Sequence, residues 1–248
     1  MKKTLLIAVA ALAAGVISTQ AQVYSQNIVG YANVVNTAGY QNYFQSVPFI
    51  IGSSNGINEV FAGGLPAGSY LNLWNGSGFT SYVYDNTDPI GAGTSVVWYD
   101  ANEDAAITQY PTLNPGQGFL LVPSAPWTNT FAGAIALSVG TSNNMVLPTA
   151  YANYFVAPVV PYAGSVTNGN NSTGGPNLNN LPAGSYVETW NGSGFSAVVY
   201  DNTDPIGAGT GVVWYDANED AAVAPPSVTV GQSILIVPAA SYTWTTGL

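Results

Sequence analysis

An internal repeat constrains the fold of this chain more than any other feature of the sequence. The 42 residues at 65–106, LPAGSYLNLWNGSGFTSYVYDNTDPIGAGTSVVWYDANEDAA, return 116 positions later with only seven substitutions. Looser matches flank this segment: residues 36–48 resemble residues 147–159, and residues 115–123 resemble residues 230–238. A repeat of this kind predicts that the chain folds as two copies of one structural unit.

The repeat also predicts the domain boundaries. Two units of roughly 110 residues each match the usual size of a protein domain. We place a leader at 1–21, a first domain at 22–133 and a second domain at 134–248, and call these two domains the first and second repeat. A recent duplication explains their near-identity without selection, so repetition by itself assigns no function.

The residue pattern inside each repeat predicts β-structure. Short apolar or alternating runs, rich in aromatic and β-branched residues, lie between clusters of Gly, Pro, Asn and Asp. The clearest element is a hairpin in which strands at 69–74 and 79–85 are joined by a turn at 75–78, because Asn-Gly tolerates the positive φ angles of tight turns. A third strand is expected at 94–99.

The same pattern extends over the whole repeat. No helical period of 3.6 residues is sustained beyond the leader. Counting every predicted strand gives about seven in each repeat, a number that is typical of sandwiches and small barrels. The sequence therefore predicts an all-β protein with two tandem homologous β-sandwich or small-barrel domains.

The first residues predict that the protein is exported. Lys2 and Lys3 precede an apolar run at 5–17, and small residues follow it up to Ala21. This order is that of a secretory signal peptide cleaved after Ala21. We expect the mature protein to be secreted, with a periplasmic, cell-surface or extracellular location.

The charge of the mature chain excludes several classes of partner. Residues 22–248 carry twelve Asp and Glu side chains and no Lys, Arg or His. Nucleic-acid binding requires basic side chains that neutralise phosphates, and recruitment to anionic membranes requires them as well. We therefore expect neither nucleic acid nor anionic membrane as a partner.

The missing residue types also restrict catalysis. Without Cys, His or a mature-chain Lys there is no thiolate nucleophile, imidazole base or Schiff base. We therefore predict that the protein is not an enzyme. The carboxylates, amides, hydroxyls and rings that remain suit calcium binding, sugar binding or two-carboxylate hydrolysis.

The acidic phrase DANED, present in both repeats, is a candidate calcium site. Oxygen-bearing side chains at alternate positions of a short loop suit Ca²⁺, which takes six to eight oxygen ligands. The candidate ligands are Asp100, Asn102, Glu103, Asp104, Asp216, Asn218, Glu219 and Asp220. An EF-hand is excluded because Ala105 and Pro111 stand where that motif has Gly and Glu. The alternative interpretation is a solvated turn that opposes edge pairing.

A second acidic phrase, DNTD at 85–88, precedes this candidate site. In a three-stranded meander Asp85 and Asp100 lie at opposite ends of adjacent strands. About six residues at ~3.3 Å each then separate them by roughly 20 Å. We therefore expect the two phrases to form separate clusters, with residues 100–104 beside the turn at 75–78.

Matched aromatic residues are candidate sugar contacts. Tyr70 and Trp74 lie on one face of the predicted strand 69–74, and Tyr186 and Trp190 occupy the matching positions in the second repeat. Such rings stack on the apolar faces of sugars while polar neighbours bind the hydroxyls. The alternative is that these residues, and Trp98 more strongly, belong to the core.

Several short motifs carry a resemblance to a known group. The leader followed by NIVGY at 27–31, together with WNGSGF at 74–79 and PGQGF at 115–119, resembles uncharacterised secreted β-rich proteins of verrucomicrobial type. The resemblance implies secretion and β architecture. It implies no site residues.

Three functions of different classes follow from these observations. The first is a secreted non-enzymatic structural, cell-surface or matrix protein that adheres to or assembles with itself or other envelope proteins. The second is a polysaccharide-binding protein, with or without calcium. The third and least favoured is a two-carboxylate glycoside hydrolase, since that mechanism needs two carboxylates facing each other about 5–10 Å apart.

Overall fold

A computed structural model describes residues 29–93, 95, 97–138, 140–169, 175–209, 211 and 213–248. The predicted leader lies outside these residues, as do positions 94 and 96 of the predicted third strand. Nearly all the regular structure that the model describes is β, which confirms the predicted all-β class. One short helix, α1 (Ile57–Val60), is present, and no helix in the described ranges is long and apolar enough to cross a membrane.

The described residues form sixteen strands. In the first repeat they are β1 (Val29–Asn36), β2 (Tyr43–Ser46), β3 (Ser69–Trp74), β4 (Phe79–Tyr84), β5 (Trp98–Asp100), β6 (Gly118–Val122) and β7 (Trp127–Ala134). In the second they are β8 (Ser142–Leu147), β9 (Tyr154–Val156), β10 (Gly164–Ser165), β11 (Ser185–Trp190), β12 (Phe195–Tyr200), β13 (Trp214–Asp216), β14 (Ser227–Val228), β15 (Ile234–Val237) and β16 (Tyr242–Gly247).

The sheet order is the same in the two repeats. A five-stranded antiparallel sheet has the order β2-β6-β3-β4-β5 in the first repeat and β9-β15-β11-β12-β13 in the second. A separate antiparallel pair accompanies each sheet, β1 with β7 and β8 with β16. The short pair β10–β14 belongs to the second repeat. The sequence repeat is therefore also a structural repeat, while the predicted domain boundaries stay a prediction.

Each repeat has its own buried core between two layers. In the first repeat Leu71 and Leu121 of the five-stranded sheet share a cluster with Phe131 of the β1–β7 pair. In the second, Ile236 of the sheet shares a cluster with Trp244 of the β8–β16 pair. The alternation of buried and exposed residues along β3 follows the two-residue period of a strand with one face on the core.

The predicted hairpin is present, and its turn is held by a side chain. Trp74 pairs with Phe79, which leaves residues 75–78 as the loop. The Asn75 Oδ1 atom accepts hydrogen bonds from the backbone N–H groups of Ser77 and Gly78, both at 3.0 Å. Gly76 has a φ of 97°, so glycine supplies the positive φ that the turn requires.

The third strand differs from its prediction in length and register. β5 contains three residues, and its Asp100 lies opposite Tyr82 of β4. Asp85, the residue after β4, donates its backbone N–H to Val97 O at 2.9 Å. Asp85 and Asp100 are therefore about three residues apart along the strands, or ~10 Å. The predicted separation of roughly 20 Å is wrong. The third strand begins later than predicted, and its last residue, Asp100, pairs with Tyr82 in the middle of β4.

Candidate functional site

An aromatic cluster joins the two repeats. Phe44 of the first repeat lies between Trp190 and Phe195 of the second, with ring centroids 5.2 and 4.7 Å away. Phe155 of the second repeat lies between Trp74 and Phe79 of the first, at 5.4 and 5.3 Å. The rings of Phe44 and Phe155 stack on each other at 5.3 Å. We call this cluster and the backbone beside it the inter-repeat interface.

The inter-repeat interface has an approximate two-fold symmetry. Phe44 and Phe155 occupy matching positions in the repeats, and each inserts into the Trp–Phe pair of the opposite repeat. The backbone follows the same rule: Ser46 N–H donates to Gly231 O at 2.8 Å, and Ala157 N–H donates to Gly116 O at 3.0 Å. The two repeats therefore contact each other through the same surface, as subunits of a two-fold dimer do.

A pocket of about 220 Å³ lies at one end of this interface. Both repeats line it, the first mainly through residues 34–36 and 43–45 and the second through Trp190, Gly192 and residues 229–232. The lining includes no charged residue. Val35 is 58% exposed at its rim, whereas Asn36 and Gln45 are only 1% and 4% exposed. We call this cavity the interface pocket.

Three residues that line the interface pocket carry buried polar atoms without a hydrogen-bond partner among the described residues. The atoms are Asn36 Nδ2, Gln45 Oε1 and Trp190 Nε1. The two amides bind each other through their other atoms, since Gln45 Nε2 donates to Asn36 Oδ1. An unpaired buried donor or acceptor costs about 1–3 kcal/mol, so this pocket concentrates several unfavourable groups.

This donor and acceptor pattern does not depend on the orientation of the amides. Exchanging the nitrogen and oxygen of both Asn36 and Gln45 keeps the hydrogen bond between them. The exchange still leaves one nitrogen donor and one oxygen acceptor without a partner. With the Trp190 indole N–H, the residues that line the pocket therefore carry two unpaired donors and one unpaired acceptor in either orientation.

The other end of the interface has no such polar pattern. The positions that match Asn36 and Gln45 are the apolar residues Leu147 and Val156. The Trp74 indole, which matches Trp190, donates its N–H to Asn153 O at 2.9 Å. The two ends of the interface are therefore related by the approximate symmetry but differ in their polar groups. The second end can serve as an internal control for the first.

The two acidic phrases approach each other around a buried tyrosine. Tyr99 is fully buried, and its pKa is raised by burial and then by the charges of Asp88, Asp85 and Glu103. In the second repeat Tyr215 Oη donates to Asp204 Oδ1 at 3.4 Å. Charges of both phrases therefore act on one tyrosine, although Asp85 and Asp100 stay about three residues, or ~10 Å, apart along the strands. The expectation that residues 100–104 lie beside the turn at 75–78 stays a prediction.

The candidate calcium loops are held by hydrogen bonds of their own. Asp100 Oδ1 accepts the backbone N–H groups of Asp104 and Ala105 at 3.0 and 3.3 Å, and Asp216 does the same in the second repeat. A hydrogen bond between the two carboxyl groups lowers the pKa of Asp100 and raises that of Asp104. Each loop therefore brings two carboxyl groups into contact.

The other predicted calcium ligands lie on the same loops. Asn102 and Asn218 are exposed, while Glu103 and Glu219 are half-buried and have positive φ angles. Among the residues that the structure describes, no group of three or more acidic side chains is placed to hold a metal ion. Calcium binding stays a prediction, and thermal unfolding with Ca²⁺ against EGTA tests it.

The predicted sugar-stacking residues lie at the margin of the interface. Trp74 and Trp190 are half-buried members of the aromatic cluster, Tyr186 is half-buried, and Tyr70 is exposed. Trp98 and its counterpart Trp214 are buried, which confirms the core interpretation for these two residues. Of the four candidates, the structure brings only Trp190 to the interface pocket.

Glu188, the residue between Tyr186 and Trp190 on this face, leads to a testable pH dependence. Desolvation raises its pKa, so the folded state disfavours the ionised carboxylate. The resulting penalty is absent at low pH and grows as the pH rises from the unfolded-state pKa through the folded-state pKa. We expect the Glu188→Gln variant to be more stable than the wild type at pH 7 and equal to it near pH 3. Urea unfolding across this pH range measures the difference.

Glu59 provides a control of the opposite sign. Hydrogen bonds from the backbone and side chains of Ser53 and Ser54 lower its pKa to about 2. The stabilisation is present above the unfolded-state pKa and is lost as the pH falls towards 2. The Glu59→Gln variant is therefore expected to be less stable than the wild type at pH 7. If Glu188→Gln lowers the stability at pH 7, as Glu59→Gln is expected to do, the desolvation argument is contradicted.

Asn36 and Gln45 were not predicted to be site residues. Both lie in the loosely matched flank, about 150 residues before Trp190. A weak signal was present, because Asn36 and Gln45 are polar where the second repeat has the apolar residues Leu147 and Val156. Such differences between copies mark positions at which one copy departs from the common structural role.

Comparison of the chain with protein-family models, with curated proteins and with solved structures returns no match. The functional proposal therefore depends on the geometry of the interface pocket and on the composition of the chain.

Proposed function

We propose that the protein is a secreted, non-enzymatic carbohydrate-binding protein that holds a neutral sugar unit in the interface pocket. The observation that carries the proposal is that three residues lining one pocket, Asn36, Gln45 and Trp190, each carry a buried polar atom without a partner among the described residues. Proteins pair nearly all their buried polar groups. A pocket that leaves three of them unpaired is suited to a ligand that pairs them.

The chemistry of a sugar hydroxyl fits these atoms. A hydroxyl donates one hydrogen bond and accepts others. It can therefore donate to Gln45 Oε1 and accept from Asn36 Nδ2, while a second hydroxyl or the ring oxygen accepts from the Trp190 indole. The Phe44 and Trp190 rings that line the pocket supply apolar surface for the C–H groups of the sugar. Few other neutral ligands combine several hydroxyls with an apolar face.

The size of the pocket and the charge of the chain restrict the class of ligand further. Pockets for drug-sized ligands are roughly 300–1,000 Å³, so about 220 Å³ fits one sugar ring or a chain end. The mature chain has twelve acidic and no basic side chains, so an anionic sugar is repelled. No Asp or Glu lines the pocket, so the geometry gives two-carboxylate hydrolysis no support there.

A matched pair of tryptophan variants tests the proposal. Trp190→Phe removes an indole N–H that has no protein partner, whereas Trp74→Phe removes one that is bonded to Asn153 O. We expect Trp190→Phe to weaken sugar binding at least tenfold with little loss of stability. Trp74→Phe is expected to retain binding and to lose about 0.5–1.5 kcal/mol. Calorimetric titration with neutral mono- and oligosaccharides, and urea unfolding, measure the two effects.

The paired design removes effects common to both residues. Both substitutions replace indole by a smaller ring at matching positions in the aromatic cluster, so the packing loss is similar. Equal losses of affinity in both variants would show that packing, and not the pocket, determines binding. Absence of binding to every neutral sugar in the panel would contradict the proposal itself.

Self-assembly is the second candidate function, and a specific feature of β1 favours it. Val29, Tyr31 and Val35 alternate along this strand and are 71%, 78% and 58% exposed. β1 pairs only with β7 among the described strands, so its other edge is available to the same strand of a second copy. Sedimentation of the wild-type and Val35→Lys proteins tests this role. If β1 mediates assembly, only the wild type is expected to assemble.

A further inference from the structure

We propose that Tyr40 and Tyr151 are a pair of contact residues, one in each repeat, for a neutral polysaccharide chain. Neither residue lines the interface pocket, so this surface is separate from the site of the proposed function. The inference goes beyond that function because a polymer, and not a single sugar unit, is its ligand.

The first observation is that the tyrosine survives in a stretch that has diverged. The two repeats share 35 of 42 residues in their central segment but only four of thirteen between 36–48 and 147–159. The four retained pairs are Tyr40 and Tyr151, Asn42 and Asn153, Tyr43 and Tyr154, and Phe44 and Phe155. These four pairs are the positions of the stretch at which the two repeats still agree.

Two of the retained pairs have a structural role. Phe44 and Phe155 form the centre of the inter-repeat interface. Tyr43 Oη accepts the backbone N–H of Ala38 at 2.9 Å, and Tyr154 Oη accepts that of Thr149 at the same distance. These second tyrosines therefore hold the turn that precedes each strand. That turn carries Tyr40 in the first repeat and Tyr151 in the second.

The rings of Tyr40 and Tyr151 have no such role. They are 75% and 72% exposed, so they contribute little to either core. Their backbone N–H groups donate to Pro123 O and Pro238 O at 2.6 and 2.7 Å, but any residue with an N–H can make these bonds. The structure of the turn therefore does not require a tyrosine side chain.

The backbone conformation makes the retention more informative. Tyr40 and Tyr151 have φ angles of 55° and 57°, in the left-handed region that Gly and Asn adopt more readily. A bulky residue in this region is strained, and such strain is often found at functional positions. Both repeats keep a strained, exposed aromatic residue where Asn suits the backbone better. We infer that the ring is kept for a contact outside the chain.

The chemistry of the surface indicates the class of ligand. An exposed tyrosine ring stacks on the C–H face of a sugar, and the exposed side chains of Asn42 and Asn153, two positions further along, suit its hydroxyls. The mature chain contains no basic side chain, so an acidic polymer is disfavoured. One such ring in each repeat suits a repeating ligand, because a polymer presents the same sugar face many times.

Co-sedimentation with insoluble cellulose, chitin and starch tests this inference. The informative variants are Tyr40→Asn, Tyr151→Asn and the double variant, since Asn tolerates the left-handed backbone. We expect the wild type to sediment with at least one of the polymers and each single variant to bind at least tenfold more weakly. The double variant is expected to stay in solution. Tyr110→Ser, which removes an exposed tyrosine ring outside the two turns, is the control and is expected to bind normally.

Three outcomes would overturn the inference. They are a wild type that binds none of the three polymers, a double variant that sediments as the wild type does, and Asn variants that unfold several degrees below the wild type. The Asn36→Leu/Gln45→Val protein separates this inference from the proposed function. If that protein, and not the tyrosine variants, loses sedimentation, the polymer is held in the interface pocket, which contradicts the inference and supports the proposed function.

Discussion

The double variant Asn36→Leu/Gln45→Val is expected to be more stable than the wild type and to have lost sugar binding. It places in the first repeat the residues that the second repeat has at the matching positions, Leu147 and Val156. The change removes two buried polar atoms that have no protein partner. Replacing both partners of a buried polar pair by apolar groups is commonly neutral or stabilising. We expect a gain of about 1 kcal/mol, which is ~2–4 °C in Tm for a chain of this size.

The two measurements for this variant are urea unfolding and calorimetric titration with a neutral sugar that the wild type binds. The single variants are controls, because each leaves one amide buried without the hydrogen bond that joins Asn36 to Gln45. Each single variant is therefore expected to be less stable than the double variant. A double variant that loses more than about 1 kcal/mol would mean that the amides support the fold, and retained affinity would remove them from the binding site.

Phe44→Ala is expected to cause the largest loss of stability at the inter-repeat interface. Phe44 is 8% exposed and contacts the rings of Phe155, Trp190 and Phe195. Truncation of a buried Phe commonly costs about 3–5 kcal/mol. Because of the approximate symmetry, Phe155→Ala should have a comparable effect. Tyr31→Ala, at an exposed position, should change stability by less than about 0.5 kcal/mol.

A double-mutant cycle on Phe44 and Phe155 measures their direct interaction. The two rings stack at 5.3 Å, and aromatic pairs of this kind contribute about 0.5–1.5 kcal/mol beyond burial. We therefore expect the double variant to lose less than the sum of the single variants. Strict additivity, or a loss below about 1 kcal/mol for Phe44→Ala, would show that the interface is not a major source of stability.

The fold was predictable from local signals. Alternation, β-branched and aromatic residues and turn motifs predicted an all-β chain, and strands β3 and β4 lie where the pattern placed them. The Asn75–Gly76 signal found the hairpin, although Asn75 acts through its side chain and Gly76 through its φ angle. These features depend on neighbouring residues, which is why the sequence contains them.

The register of the strands was harder to predict from the sequence. The error at Asp85 and Asp100 came from assuming a long third strand, whereas β5 has three residues and folds back through a bridge between Tyr99 and Ala106. Alternation fixes which face a residue occupies but not where a short strand begins. The acidic phrases consequently lie closer together than expected, and charges from both raise the pKa of Tyr99.

The interface pocket could not be predicted, because it is formed by tertiary contacts between distant segments. Asn36 and Gln45 come from the first repeat, and Trp190 comes from the second. Trp190 was predicted to contact sugar because of its residue type and its place on a strand face. In the structure it lies at the inter-repeat interface and lines the interface pocket. Its counterpart Trp74 has the same sequence context and a bonded indole N–H.

The asymmetry of the interface lies at its two ends. The two repeats share the contact at the centre of the interface and differ in the residues at its ends. Asn36 and Gln45 are the residues at which the first repeat departs from the apolar pattern of the second. The interface thus combines a shared structural role with a specific role at one end.

The indole N–H resonances of Trp190 and Trp74 in a two-dimensional NMR titration test the central claim most directly. The claim is that a neutral sugar binds in the interface pocket and pairs the Trp190 Nε1 atom, which has no partner among the residues that the structure describes. We predict that saturating sugar shifts the Trp190 resonance while that of Trp74, bonded to Asn153 O, stays in place. A sugar that binds with no shift at Trp190, or with equal shifts at both indoles, would contradict the account.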